Sequence, residues 1–250
     1  MAGYNGFAES YDILTSDIPY QKRGEYFDSL FQKFGGKKGL LLDLACGTGS
    51  LSEVMAGLGY DVIGVDASEE MLCQAAAKKY ESGRDILYIK QDMRRLSLYG
   101  TVDCAVCALD SLNHITRTED LLAVFSRVSE FLEPGGLFAF DMNTPYKHEK
   151  ILSGQTFVRE EEDVFCIWQN SECHNGIIDI SLDIFTENKD GSYTRCSEDI
   201  TERAYPAAEI SEIIGNTGME LLACYGEDSF APPPDTAQRL IFLARSTKKQ

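Results

Sequence analysis

The hydrophobic pattern of the chain changes near residue 152. Before that point, short apolar runs alternate with segments whose apolar residues recur every three or four positions, as on the buried face of a helix. The apolar runs are 40–44, 61–65, 86–90, 102–108 and 137–142, and the clearest helical segments are 19–34 and 119–132. This order predicts buried parallel strands joined by helices.

A different pattern fills residues 153–204. Here apolar and polar residues alternate between turns such as Asn175-Gly176 and Asp190-Gly191. Strict alternation indicates half-exposed antiparallel strands, and Asn-Gly and Asp-Gly pairs are typical of the hairpin turns that join them. The segment is therefore predicted to be a small inserted antiparallel β-sheet.

The first pattern resumes after the insertion. Pro206 opens a helical segment, and apolar runs follow at 219–226 and 238–244. We predict an α/β fold in which residues 1–152 and 205–250 form the core, with the inserted sheet covering the active-site edge.

The first predicted strand leads into a glycine loop. Leu40 to Leu44 form an apolar run too short for a helix, and Gly47 and Gly49 follow it. Glycine adopts backbone angles closed to other residues and lets the chain approach a ligand closely. A helix begins at once, with Thr48 or Ser50 as its cap. Strand, glycine turn and helix N-terminus together predict a nucleotide-type site.

The charge of Asp43 indicates which nucleotide this site binds. In a dinucleotide fold the loop meets an anionic pyrophosphate, which a buried carboxylate would repel. S-adenosylmethionine carries a positive sulfonium and a positive α-amino group, so an acid here favours that cofactor. The glycine count agrees, because the dinucleotide pattern needs a third glycine where this chain has Ser52.

The sequence Asp-Leu-Ala-Cys-Gly-Thr-Gly at 43–49 resembles the first signature of the class I S-adenosylmethionine-dependent methyltransferases, and Glu-Pro-Gly-Gly-Leu-Phe at 133–138 resembles a later one. The resemblance implies a Rossmann-like doubly wound sheet with a reversed C-terminal strand, S-adenosylmethionine as cofactor and methyl transfer as the reaction. In similar small-molecule enzymes, including those that methylate amino groups of sugars, an inserted sheet forms the roof of the substrate pocket or a dimer contact.

Acidic residues end the second and third predicted strands. Asp66 lies nineteen residues after Gly47, at the offset from which a carboxylate accepts both ribose hydroxyls of a nucleoside. The alternative for Asp66 is a helix-entry acid favoured by the helix dipole. In the resembling family, Asp92 and Met93 hold the adenine, although a surface turn also accounts for Asp92. The resemblance further implies cofactor contacts from Gly47, Gly49, Ala45, Ala67, Met71, Leu109 and Arg23.

Two groups of residues are candidates for the acceptor side. The loop at 109–115 crowds hydrogen-bonding groups together, and His114 is the histidine placed near the inferred pocket. Either His114 is a general base, or the loop caps a helix and the hydrogen bonds of the histidine are satisfied within the fold. Tyr11 and Tyr20 either close over the cofactor and substrate as a lid and assist catalysis, or pack the first long helix on the sheet. Tyr4 and Phe7 belong to the same aromatic segment.

Composition narrows the class of protein. A formal net charge of −17 gives a surface that repels phosphate backbones and argues against nucleic acid as a partner.

The eight cysteines are scattered through predicted strands and helices, as free buried thiols are. Cys104 and Cys107 match a metal-ligand spacing, but side chains three apart on a strand point to opposite faces, and no metal site is predicted. No signal sequence or membrane segment is recognisable, which predicts a cytoplasmic protein.

The function predicted from these observations is methyl transfer from S-adenosylmethionine to nitrogen or oxygen of a small molecule, by a monomer or homodimer. An RNA or protein methyltransferase of the same fold is one alternative. A regulatory protein that binds the cofactor without catalysis is another. A nicotinamide oxidoreductase is a third, and Asp43 and Ser52 argue against it.

Overall fold

The computed structural model describes residues 8–249, so Tyr4 and Phe7 lie outside the described residues. The helices are α1 Ala8–Leu14, α2 Tyr20–Lys33, α3 Ser50–Gly57, α4 Glu69–Ser82, α5 Thr118–Phe131 and α6 Ala207–Gly215. The strands before the insertion are β1 Leu40–Leu44, β2 Asp61–Asp66, β3 Ile86–Lys90, β4 Val102–Cys107 and β5 Leu132–Asn143. Those after it are β6 Thr156–Glu161, β7 Val164–Asn170, β8 Ile177–Glu187, β9 Tyr193–Arg203, β10 Met219–Gly226 and β11 Arg239–Ser246.

Seven strands form the central sheet, in the order β10-β11-β5-β4-β1-β2-β3. The first five strands of the chain pair in parallel, and β11 runs antiparallel to both of its neighbours, β10 and β5. The strand order reverses at β1, which lies between β2 and β4, and ligands bind at such a switch point beside the carboxyl ends of the strands. The predicted doubly wound sheet with a reversed C-terminal strand is confirmed.

Helices cover both faces of this sheet and bury one apolar stripe each. On one face, Phe27 and Phe31 of α2 are fully buried beside Met55 of α3. On the other, Val124 and Phe125 of α5 are fully buried. Apolar burial of this kind contributes about 1.5–3 kcal/mol for each large side chain, so the packing of these stripes fixes the strand ends that carry the site.

The second sheet is antiparallel, in the order β6-β7-β8-β9. Its hairpin between β8 and β9 turns at Gly191, where φ is +79°. The alternating pattern predicted antiparallel strands here, and the structure has them. The largest difference in a strand boundary of the central sheet is at β5, which begins at Leu132 instead of residue 137. Leu132 pairs with Val102, and an irregularity in the register follows before Leu137 pairs with Cys104. Among residues 8–249, no helix is both long and apolar enough to cross a membrane.

Gly24 marks the close approach of α2 to α3. A Cβ added there would lie 2.4 Å from Cγ1 of Val54, a stiff β-branched side chain. We expect Gly24→Ala to lower the free energy of unfolding by about 1–3 kcal/mol, measured by urea titration, because overpacking outweighs the helix propensity of alanine. At Gly215 of α6 an added Cβ meets nothing in the described chain within 4 Å. There the same substitution is expected to stabilise by about 0.4–1 kcal/mol, and equal effects at the two sites would contradict the packing argument.

Candidate active site

The loop between β1 and α3 bends through three left-handed residues. The φ angle is +58° at Ala45, +54° at Gly47 and +76° at Gly49. A Cβ added at Gly49 would lie 2.4 Å from the Tyr88 hydroxyl oxygen, whereas one added at Gly47 would meet no atom of residues 8–249 within 4 Å. Gly49 is therefore required by packing, and Gly47 leaves the backbone open beside the strand ends.

Asp66, the last residue of β2, ties the glycine loop to the start of α4. Its Oδ2 accepts a hydrogen bond from the Gly47 backbone N–H at 2.9 Å, and its Oδ1 accepts one from the Ser68 backbone N–H at 2.8 Å. Burial raises the pKa of Asp66, and the backbone donors partly offset the rise. A carboxylate oxygen has two lone pairs, so each oxygen keeps capacity to accept a hydrogen bond from a ligand.

Asp43 is buried inside β1, with 2% of its surface exposed. The Ser52 hydroxyl donates to its Oδ2 at 2.5 Å. Burial raises the pKa of Asp43 to about 7, while the Ser52 hydrogen bond lowers it and the charge of Asp66 raises it. The Asp43 carboxyl therefore exchanges its proton near neutral pH, where a nearby cation would favour the ionised form.

The loop after β4 holds two consecutive non-glycine residues in the left-handed region. The φ angles are +58° at Leu109 and +55° at Asp110. Asp141 of β5, which is fully buried, accepts hydrogen bonds from both backbone N–H groups, at 3.0 and 2.7 Å. Arg23 and Arg239 bond the same carboxylate, at 3.2 and 2.6 Å. A buried charge network thus offsets the strain of a loop that turns toward the strand ends.

A cavity of about 290 Å³ lies where these loops meet. Residues just past β1, β2, β3 and β4 line it from the core, and Asp199, Ile200 and Thr201 of β9 line it from the inserted sheet. The sequence-predicted residues that line it are Tyr11, Ala45, Gly47, Asp66, Ala67, Met71, Met93, Leu109 and His114.

A smaller cavity of about 40 Å³ adjoins the first. Tyr20 and Asp43 line this one, and Tyr11 lines both. Next to Tyr11, Asp12 of α1 bonds Lys78 of α4 at 2.6 Å and accepts from the Thr48 hydroxyl at 2.7 Å. These contacts fasten α1 over the glycine loop, so the two cavities share a wall that comes from the N-terminal helix.

Comparisons with known proteins agree on one family. A methyltransferase domain model matches residues 41–136. The "Putative methyltransferase YqeM" of Bacillus subtilis is 33% identical over 249 residues, which cover 98% of each chain. The chain belongs to the S-adenosylmethionine-dependent methyltransferases. A crystal structure of such an enzyme from Clostridium acetobutylicum is 29% identical, with a TM-score of 0.89 over 98% of this chain and 99% of that one.

The shared fold extends to more distant structures. The sugar N-methyltransferase KedS8 from Streptoalloteichus is 19% identical, with a TM-score of 0.78 over 95% of this chain and 93% of that one. The relative from Bacillus subtilis and the structure from Clostridium acetobutylicum confirm the predicted family, enzyme class and cofactor, and S-adenosylmethionine is the methyl donor. The roles of individual residues stay predictions.

Three residues predicted to contact the cofactor line neither cavity of this methyltransferase. Gly49 packs against Tyr88. Asp92 accepts from the backbone N–H and the guanidinium of Arg94, and these hydrogen bonds lower its pKa. The Asp92 carboxylate therefore binds a neighbour within its own turn, as the surface-turn alternative expects. Gln91, and not Asp92, lines the cavity beside Met93. The third residue is Arg23.

Arg23 lies behind the loop at Leu109 and is 4% exposed. Its Nη2 donates to Glu227 at 2.7 Å, and its Nη1 donates to Asp141. The Nε–H is buried and has no hydrogen-bond partner within residues 8–249. An unpaired buried donor costs about 1–3 kcal/mol, so an acceptor that reached this atom would bind there favourably.

The structure also shows site residues that the sequence interpretation missed. The sequence interpretation did not single out Asp141, although an acid within an apolar buried strand is a usable signal of a structural or binding role. Asp199, Ile200 and Thr201 gave no signal, because nothing in an alternating strand indicates which residues lie against a distant loop. His114 lies at the cavity wall with 13% of its side chain exposed, at the end of a 3₁₀ turn.

Proposed function

We propose that this methyltransferase methylates an amino nitrogen of a small molecule. The charge of the cavity wall carries the proposal. The wall has the carboxylates of Asp66 and Asp199 and the imidazole of His114, and the described residues that line it include no lysine or arginine. Such a wall favours cations and disfavours phosphate. Aliphatic amines are cations at neutral pH, so they are attracted to the site in which they react.

Residues around the cavity fit the cofactor as well. Asp66 keeps acceptor capacity for the two ribose hydroxyls, and Met71 and Met93 offer polarizable apolar surface for an adenine ring. Asp43 supplies negative charge at the smaller cavity. The unpaired Nε–H of Arg23 would reach the carboxylate of the cofactor only after a movement of the loop at Leu109, because Arg23 lines neither cavity. The acidic groups of the two cavities match the positive sulfonium and α-amino groups of the ligand.

The chemistry needs little more than positioning. Bound S-adenosylmethionine supplies an electrophilic methyl group. The protein would hold the acceptor nitrogen in line with the carbon–sulfur bond, and this positioning would contribute most of the rate. The cationic amine would first lose one N–H proton to the His114 ring, which frees the electron pair of the nitrogen. That pair would form the new carbon–nitrogen bond while the electron pair of the carbon–sulfur bond stays with sulfur, and the products would be a methylated ammonium ion and S-adenosylhomocysteine.

The roof of the cavity argues for a small acceptor. Residues of β9 lie over the site, and the cavity of about 290 Å³ must hold the cofactor as well, which leaves room beside it for a small ligand. Large acceptors need an open cleft at the reacting atom. The roof therefore favours a small amine over RNA or a folded protein.

The proposal is tested by incubating the protein with S-adenosylmethionine and matched acceptors. The panel pairs small amines and amino sugars with their hydroxyl analogues, and includes transfer RNA and an unstructured peptide. We expect S-adenosylhomocysteine and an N-methylated product with at least one amine, and neither with its hydroxyl analogue.

Other outcomes separate the alternatives. Transfer only to a hydroxyl compound, to RNA or to the peptide would contradict an amine acceptor. Cofactor binding at about micromolar Kd with no S-adenosylhomocysteine from any acceptor would favour a regulatory cofactor-binding protein.

A further inference from the structure

A buried carboxylate lies between two histidines beside the cavity. Glu202 is on β9 of the inserted sheet, and 6% of its side chain is exposed. Its Oε1 is 3.9 Å from Nε2 of His114, which lines the cavity. Its Oε2 is 3.4 Å from Nε2 of His148, which is completely buried. The inserted sheet thus supplies a group that lies near the candidate base without lining the cavity itself.

The hydrogen bonds of His148 determine where its protons lie. Its Nδ1 is 2.9 Å from the carbonyl oxygen of Gly176, and a carbonyl oxygen only accepts, so Nδ1 carries a proton. The buried Nε2 meets no hydrogen-bond partner with good geometry among residues 8–249, yet it faces Glu202 at ion-pair distance. If Nε2 had no proton, its lone pair would face the lone pairs of Glu202. A proton on Nε2 replaces this repulsion with attraction, and a small side-chain rotation completes the hydrogen bond.

Other contacts keep Glu202 an acceptor. The side-chain amide of Asn143 donates to Oε2 at 3.4 Å, and a donor of this kind favours the ionised carboxylate. The strand is also fixed in place, because the Asn113 amide donates to the carbonyl oxygen of Arg203 at 2.9 Å and to that of Asn143 at 3.2 Å. The carboxylate is therefore held by the core and by the roof together.

Three acidic groups of the described chain lie near His114: Asp66, Asp110 and Glu202. The first two are bound to backbone N–H groups or to an arginine. Asp66 accepts from the backbone of Gly47 and Ser68, and Asp110 bonds Arg239 at 2.7 Å. Burial opposes ionisation of Asp110, but Arg239 and other nearby cationic groups hold its pKa well below its usual range. Glu202 differs from both, because its second partner is another imidazole.

We propose that Glu202 and His148 are positioning residues for His114. His148 carries a proton on each ring nitrogen and pairs with Glu202, and Glu202 orients the His114 ring and stabilises its protonated form. The proposal rests on the amine methylation proposed above, in which one N–H proton leaves the acceptor nitrogen and joins the His114 ring. The methyl group moves from sulfur to nitrogen, and the proton's charge is then balanced by Glu202.

Nitrogen-15 spectra of the imidazole rings test the protonation states without any acceptor. The chain has three histidines, His114, His148 and His174, so the signals are assigned by replacing each with asparagine. His174 is exposed and serves as the reference. We expect both ring nitrogens of His148 to be protonated in the native protein, because Nδ1 faces a carbonyl oxygen and Nε2 faces Glu202. An unprotonated Nε2 of His148 in the native protein would overturn the proposal.

Glu202→Gln removes the charge and keeps the shape. We expect this variant to lose the Nε2 proton of His148 and to shift the His114 signals, with the His174 signals unchanged. Glu198→Gln is the matched control, because Glu198 is 7% exposed on the same face of the same strand and its carboxylate faces Cys196. Identical ring spectra in the Glu202→Gln variant and the native protein would also overturn the proposal.

Kinetics separate positioning from a purely structural role. With the amine that the acceptor panel identifies, Glu202→Gln is expected to lower kcat by about 10- to 100-fold and to leave KM unchanged. S-adenosylhomocysteine should bind both proteins equally. If no amine is methylated, the proposed function fails, while the ring spectra still decide the placement of the protons. An unchanged kcat in Glu202→Gln would overturn the positioning role alone.

Discussion

Asp66→Ala is expected to reduce the affinity for S-adenosylmethionine by about 100-fold or more. Hydrogen bonds to a charged group contribute about 1.5–3 kcal/mol each, and the proposed ribose contact has two of them. The substitution also removes the acceptor for the Gly47 and Ser68 backbone N–H groups, which loosens the glycine loop. Calorimetric titration with S-adenosylmethionine and S-adenosylhomocysteine measures the loss, and NAD should bind neither the native protein nor the variant.

The control for this substitution lies at the other end of the same strand. Asp61 is exposed at the start of β2, so Asp61→Ala should leave cofactor affinity unchanged. A cofactor analogue that lacks both ribose hydroxyls separates the ribose contact from loop disorder. This analogue should bind the native protein weakly. The Asp66→Ala substitution should weaken its binding further only to the extent that it loosens the glycine loop. Native affinity for S-adenosylmethionine in the Asp66→Ala variant would contradict the ribose role.

The elements that carry the site could be predicted because their signals are local. Leu40–Leu44 is an apolar run broken only by Asp43, and Gly47 and Gly49 follow just after it. Parallel strands end at one edge of a sheet, so Asp66 and Met93, each near the end of a predicted strand, were expected together. The structure places both at the cavity.

The rest of the site depends on contacts between residues far apart in sequence. Asp141 shapes the loop at Leu109 and Asp110 from a strand about thirty positions later, and no spacing rule links them. Glu202 reaches His114 only because β9 crosses over the core. The alternating pattern predicted β9 as a strand and said nothing of which loop it covers.

Competition between nearby partners explains Asp92. Its position after the third strand matched the family pattern, but Arg94 is two residues away and offers both a backbone donor and a guanidinium. A short-range ion pair with several hydrogen bonds directs the carboxylate before any ligand is present. Sequence position alone gives no information about which partner a side chain selects.

Cofactor affinity is expected to depend on pH through Asp43. Its folded pKa is about 7, well above the value of about 3.9 expected in an unfolded chain. A cationic ligand binds the ionised form better, so binding below pH 7 must remove a proton. We expect the affinity for S-adenosylmethionine to fall by up to about tenfold per pH unit below 7. Calorimetry in two buffers of different ionisation enthalpy measures the proton released.

The same titration affects the stability of the protein without ligand. A carboxyl whose pKa is raised by folding stabilises the folded state fully below the unfolded pKa, and this contribution is lost as pH rises through the folded pKa. For Asp43 the total loss is about 4 kcal/mol, most of it between pH 4 and pH 7. Asp43→Asn should remove this part of the pH dependence, in denaturant unfolding and in cofactor binding alike. An equal pH dependence in the variant would assign it to another group.

Ser52→Ala tests what sets the raised pKa of Asp43 without removing its carboxyl group. The Ser52 hydroxyl donates to Asp43 and lowers its pKa against the effect of burial. Without this donor the ionised form loses its hydrogen bond, so the pH midpoint of cofactor binding should move upward. A midpoint that stayed in place would mean that another donor replaces Ser52, or that the titrating group is not Asp43. An upward shift would show that the serine in the place of the third glycine of a dinucleotide loop acts on the cofactor site by setting the charge of the acid beside it.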